Sequence, residues 1–142
     1  MEQRLSIVTL GVSDVAESTA FYKRLGWRPS RKASNDRITF FQMGGAVLAL
    51  YGRDELAEDM MVPRWNGGFG GVTLAYNVQR REDVETALAE AEKAGARILK
   101  SAQDVFWGGY SGYFADPDGH PWEVAWNPYS TLDKDGRLQL DG

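Results

Sequence analysis

The chain has no cysteine and one histidine in 142 residues. The first absence excludes disulfides, thiolate catalysis and cysteine zinc sites. The second removes every metal motif that needs two imidazoles. Basic charge is also short: 16 Lys and Arg against 20 Asp and Glu leave a net charge of -4 and a sequence pI near 5.0. No basic surface therefore points to a nucleic acid or an anionic membrane. Nowhere do about 18 apolar residues run together, and the apolar run after MEQRLS is too short for a signal-peptide core, so no membrane partner and a cytoplasmic location are expected. With 43% hydrophobic residues, the composition suits one domain over residues 1–142 with a real core.

An internal repeat organises the chain. IVTLGV at Ile7 to Val12 and GVTLAYNV at Gly71 to Val78 are both rich in β-branched residues and read as strands. After the first, Asp14 with Glu17 three residues on predicts a helix start, with Val15, Phe21, Tyr22 and Leu25 on one face and Gly26 as the stop. After the second, Val84, Ala87, Leu88 and Ala91 recur at helical spacing before Gly95. Strand-like pieces follow each helix: Trp27 to Lys32, Ile38 to Met43 and Ala46 to Tyr51, then Arg97 to Ala102, Gly112 to Ala115 and Trp122 to Trp126. In each half a tight turn joins the last two, MGG at Met43 to Gly45 and DPDG at Asp116 to Gly119. The prediction is an α+β fold of two βαβββ modules, about 5–51 and 71–126. A crossover over 52–70 holds the amphipathic DELAEDMM, and a tail over 129–142 has a DKDG hairpin. The GGFGG run at Gly67 to Gly71 precedes a strand, the reverse of a phosphate-binding loop, and reads as a flexible entry to the second module.

With that repeat in place, FYKRLGW at Phe21 to Trp27 and GYFADPDGHPWEVAWNP at Gly112 to Pro128 resemble the vicinal oxygen chelate superfamily, which includes glyoxalase I, fosfomycin and bleomycin resistance proteins and extradiol dioxygenases. The resemblance implies a curved mixed sheet around a cup with the helices outside, a homodimer, and a divalent metal held by the first and last strands of the modules. Aligning Gly45 with Gly119 and the two VTL triplets puts the metal positions at Ile7, Ala49, Gly71 and Glu123. Only Glu123 can bind a metal, so no metal and no cofactor is expected here, although a divalent metal is what the family implies. His120 stands at an odd spacing from Glu123 and would face the other way. Asp116 reads as a turn cap, because His120 and Pro121 stand where a calcium loop needs an oxygen ligand and a glycine.

Once the resemblance turns Glu123 inward, strand parity puts Ala125 beside it and turns Trp122, Val124 and Trp126 to the helix layer. Thr9 and Gly11 share the face of Ile7; Thr73 and Ala75 share that of Gly71. Tyr113 lies ten residues before Glu123, the spacing at which the family's extradiol dioxygenases carry an active-site tyrosine. Tyr113 and Glu123 are the candidate catalytic pair, a desolvated carboxylate beside a phenol being suited to general acid or base work. Tyr51, Trp65, Trp107 and Tyr110 lie in or beside Gly-rich connections, where a large aromatic must pack or meet a ligand. With Thr9 and Thr73 they are the candidate ligand-binding residues. Phe21, Tyr22 and Trp27 are assigned to the core. A small organic ligand in an aromatic-lined cup is the function these features suggest, with a lyase, isomerase or dioxygenase-like enzyme as the alternative.

Overall fold

The computed structural model describes residues 1–140; Asp141 and Gly142, the end of the expected tail, lie outside the described residues. The chain divides into two compact units, the first Met1–Phe69 and the second beginning at Gly70. The first unit runs β1 (Ile7–Val12), α1 (Val15–Arg24), β2 (Ile38–Met43), β3 (Ala46–Gly52) and α2 (Arg53–Met60). The second runs β4 (Leu74–Asn77), α3 (Glu82–Ala94), β5 (Arg97–Asp104), β6 (Tyr110–Ala115) and β7 (Pro121–Trp126), and ends in β8 (Thr131–Leu132) and β9 (Leu138–Gln139). The strands hydrogen-bond as three sheets, ordered β1-β3-β2, β4-β7-β6-β5 and β8-β9. The α+β class and the repeat therefore hold, with the strands apportioned among separate sheets.

In the first unit, the Asp14 side chain accepts the Glu17 N–H at 3.0 Å and starts α1 as expected. Phe21 and Tyr22, at helical spacing from the cap, are fully buried on the face that packs against β2 and β3. Their rings meet edge to face at 4.9 Å, and Trp27 stacks on Tyr22 at 5.2 Å. β1 runs parallel to β3, with Ile7 opposite Val47 and Thr9 opposite Ala49. Leu10, Leu48, Leu50 and Phe41 are buried on one face; Ile7, Thr9, Gly11 and Tyr51 point to the other.

The expected strand Trp27 to Lys32 does not form, so the first module is βαββ. Pro29 has no N–H to give a ladder. Ser30 N–H reaches Phe40 O at 2.8 Å, and the chain then turns, with Ser34 N–H on Ser30 O. The crossover contributes a helix of its own. α2 packs on β1 and β3, and a Cβ at Gly11 would come within 3.1 Å of Arg53 Cβ. Since Gly11 points away from the face α1 covers, α2 of the crossover lies on the opposite side of that sheet from α1.

The second unit keeps the full βαβββ order, with β4 parallel to β7. The DPDG turn forms as its residues dictate: Gly119 N–H bonds Asp116 O at 2.9 Å with Gly119 at φ +88°, and buried Asp116 Oδ1 accepts the N–H groups of Asp118 and His120. The terminal hairpin also forms, pairing Thr131 with Gln139 and Leu132 with Leu138. No helix among the described residues is long and apolar enough to cross a membrane.

α3 packs on β5, β6 and β7, with Val84, Leu88 and Ala91 buried. That approach needs a residue without a side chain beneath it. A Cβ at Gly112 would stand 2.6 Å from Leu88 Cδ1 and 2.7 Å from Lys100 O. The leucine can rotate, but the neighbouring backbone carbonyl can shift only with its strand. Gly112→Ala is therefore expected to destabilise the fold by about 1–3 kcal/mol through overpacking. A urea midpoint equal to wild type would show that α3 does not press on β6 at this point.

Candidate functional site

β6 and β7 pair antiparallel, with Tyr113 directly opposite Glu123, Ser111 opposite Ala125 and Phe114 opposite Trp122. Parity sorts the sheet into two faces. Phe114, Trp122 and Val124 are buried beneath α3, while Tyr113, Glu123 and Ala125 look the other way. On that open face the Tyr113 hydroxyl donates to Glu123 Oε2 at 3.2 Å. Both residues are half-buried. Glu123 Oε1 has no hydrogen-bond partner among the described residues, so one carboxylate oxygen is occupied and the other is open to accept. Burial pushes the Tyr113 phenol above the ordinary tyrosine value of 10.0, and the negative charge of Glu123 and the hydrogen bond to it push the same way. Tyr113 is thus a neutral donor across the physiological range.

The register also corrects the repeat alignment. Ala49 stands beside Thr9 on the first sheet, and Glu123 stands beside Ala75 on the second. The position matching Ile7 is therefore Thr73, two residues beyond Gly71 and on the same face, and Gly71 precedes β4 altogether. The VTL triplets misled because β-branched runs look alike at any even offset. Thr73 is exposed, and its hydroxyl donates to Pro121 O at 2.9 Å. With Ile7, Ala49 and Thr73 at three of the metal positions, the donor set does not fit a catalytic divalent ion, which takes three protein ligands. Among the described residues no three His, Cys, Asp or Glu side chains gather to hold a metal.

Within the second unit, the candidate aromatics Tyr110 and Trp107 have partners other than Glu123. Tyr110 faces the opposite side of the sheet, because it is an odd number of residues from Tyr113. There its hydroxyl donates to Glu85 of α3, and the Arg81 guanidinium lies over its ring at 4.0 Å. Arg81 also pairs with Asp104 at 2.6 Å, a hydrogen bond that holds the Asp104 carboxyl below the usual range. Tyr110 is thus part of a latch that fastens α3 to the ends of β5 and β6. Trp107 is half-buried and folded on its own hairpin, its ring lying where a Gly109 side chain would stand. Tyr51 and Trp65 belong to the first unit. Tyr51 is half-buried opposite Gly11 and Ile38; Trp65 is half exposed, with Arg53 over its ring at 4.6 Å. Thr9 is exposed on the face of that unit's sheet against which α2 packs.

One residue on the open face escaped sequence reasoning: Lys100 of β5 lies opposite Tyr113. An unbroken hairpin counted from the Asp104–Tyr110 pair would put Ser101 there. The register shifts between Lys100 and Gln103, and again between Ile98 and Lys100, bring the lysine into line instead. No residue pattern in LKSAQD announces those bulges.

The fold agrees with that of the relatives of the chain. Residues 4–124 match the model of the Glyoxalase/Bleomycin resistance protein/Dioxygenase superfamily, and the chain belongs to that family. A glyoxalase-related enzyme from Fulvimarina pelagi is similar in structure, with a TM-score of 0.91 and 36% identity over 99% of this chain and 100% of the other. The metallothiol transferase FosB of Staphylococcus saprophyticus is 28% identical over 87% of this chain and 77% of its own length. A glyoxalase/bleomycin resistance protein/dioxygenase from Nocardioides shares the fold at a TM-score of 0.74 and 23% identity, covering 99% of this chain and 91% of its own.

The two perturbed tyrosines give a pH dependence with a definite sign. Tyr113 is raised chiefly by burial and Tyr110 chiefly by its hydrogen bond to Glu85. A raised folded-state value means the native state holds the proton more tightly than the unfolded chain. The resulting stability is fully present below pH 10 and is lost as pH rises through the folded values. Urea stability of the wild type is expected to fall above pH 10, and more gently in Tyr113→Phe and Tyr110→Phe. A slope unchanged in both variants would contradict this assignment.

Proposed function

We infer that the chain binds a small organic molecule on the open face of its second sheet, anchored by Glu123 and Tyr113. The observation that carries this reading is the half-satisfied carboxylate: Tyr113 occupies Oε2 while Oε1 has no protein partner among the described residues. A half-buried carboxylate loses part of its hydration, and a ligand hydroxyl or acidic C–H aimed at Oε1 restores a partner. Tyr113 fixes the carboxyl plane with its one O–H, and its phenol oxygen remains free to accept from a ligand hydroxyl. Neither step needs a metal, in keeping with the donor set. Thr73 borders the same face two residues from Ala75, and its hydroxyl already serves Pro121 O.

Turnover is the second reading, favoured by the 36% identity to a protein described as a glyoxalase-related enzyme. In that case Glu123 takes a proton from bound substrate as general base and Tyr113 donates to the oxygen where charge develops. A homodimer belongs to the same proposal. β1 and β4 are edge strands of their sheets, and Ile7, Val72 and Tyr76 on or near them are about half exposed, a surface that association would cover. Sedimentation is expected to give twice the chain mass; one chain mass at all concentrations would remove the dimer.

The test of the site begins with a thermal-shift screen of small aromatics and of hydroxy and oxo acids. Wild type, Glu123→Gln and Tyr113→Phe are then compared for binding and for consumption of each hit. Glu123→Gln keeps shape but removes charge and basicity, so affinity or turnover is expected to fall about tenfold or more while the unliganded melting temperature stays close to wild type. Unchanged affinity and turnover in both variants would exclude the pair from function.

A further inference from the structure

One row of residues crosses all four strands of the second sheet: Ala75 on β4, Glu123 on β7, Tyr113 on β6 and Lys100 on β5. Directly paired residues share a face, so a carboxylate, a phenol and an ammonium stand side by side on the open side. Strands lie about 4.8 Å apart, so Lys100 stands about 10 Å from Glu123 along the row, with Tyr113 between them. Lys100 is exposed and makes no ion pair or side-chain hydrogen bond among the described residues. The nearby acids on the helix side are engaged, Asp104 by Arg81 and Glu85 by Tyr110. In a chain of net charge -4, this leaves a cation on a long flexible stem, free to swing over the phenol.

We propose that Lys100 is the specificity residue of this face and selects organic acids, taking the ligand's carboxylate or other anionic group while Glu123 Oε1 accepts from its hydroxyl. The proposal rests on the reading of Glu123 and Tyr113 as the anchor pair and adds the substrate class. A neutral ligand gains from the anchor pair alone, whereas for a hydroxy acid held by its hydroxyl at Glu123 the Lys100 stem swings across Tyr113 and its ammonium takes the anionic end in a charge-assisted hydrogen bond. The ammonium also offsets the repulsion between the ligand's acid group and Glu123. Arg97, opposite Ala115 on the same face of β5, is two residues farther along and outside the row. It serves as a control for diffuse positive potential.

Mandelate and mandelamide test this, since they share the ring and the hydroxyl and differ in the charge of the acid group. Binding is measured by calorimetry on the full chain, wild type and variants. Wild type is expected to prefer mandelate by about tenfold, and Lys100→Gln to abolish the preference by weakening mandelate alone. Lys100→Arg should keep it and Arg97→Gln should leave it nearly intact. Equal binding of the two probes by wild type, binding of neither, or a preference that survives Lys100→Gln overturns the proposal. Equal losses from Lys100→Gln and Arg97→Gln also overturn it, because they mark a general field and no directed contact. Glu123→Gln separates the two readings. If it leaves both affinities untouched while Lys100→Gln still removes the preference, the anchor pair fails and the acid selectivity stands.

Discussion

In both units the first strand pairs in parallel with the last, β1 with β3 and β4 with β7. Parallel neighbours cannot be joined by a tight turn, so the intervening helix and strands must be laid down between them. The pairing also decides which residues face which way. On β7, helix packing claims Trp122 and Val124 and leaves Glu123 on the side α3 does not cover. A one-residue slip of β7 against its neighbours would bury the carboxylate under α3 and turn an indole outward. The site is thus a consequence of register before it is one of chemistry.

That dependence explains what was legible in the sequence. Elements fixed by local rules were readable: Asp14 caps α1, the periodicity of Val84, Leu88 and Ala91 marks α3, and the DPDG turn sets the β6–β7 hairpin, from which the Tyr113–Glu123 pairing follows by counting outward. Elements decided by tertiary context were not. Trp27 to Lys32 has strand-like residues, but Pro29 withholds a donor and Trp27 stacks on Tyr22. The two bulges of β5 have no local signature, and they alone bring Lys100 opposite Tyr113. The β4 alignment failed by an even number of residues, so every face assignment on β4 survived even though Gly71 gave way to Thr73.

Parity separates two tyrosines that composition treats alike. Tyr110 and Tyr113 lie on one strand three residues apart. The first joins Glu85, Arg81 and Asp104 in a closed set of charges on the helix side. Each member of that set has a partner, so it serves to hold α3 against the sheet edge. The second joins Glu123 on the open side, where the set is incomplete. Exposed ion pairs contribute little to stability individually, but this one fixes the hairpin carrying Trp107 relative to α3. The orientation of Tyr113, three residues along β6 from Tyr110, depends on the same backbone.

The donor arithmetic then limits the chemistry. The family resemblance assigns metal-ligand positions to Ile7 and Ala49 in the first unit and, once the register is read, to Thr73 and Glu123 in the second. An isoleucine or an alanine cannot coordinate, and the Thr73 hydroxyl is a poor ligand and is already committed to Pro121 O. What such a surface retains is a carboxylate oriented by a phenol, and these two groups differ in what they can exchange. Glu123 accepts, because its second carboxylate oxygen has no donor among the described residues. Tyr113 donates, because burial and the adjacent negative charge keep its proton in place. The β6–β7 register is what sets this pair side by side, a carboxylate with one oxygen lacking a donor among the described residues next to a phenol whose single proton it already accepts.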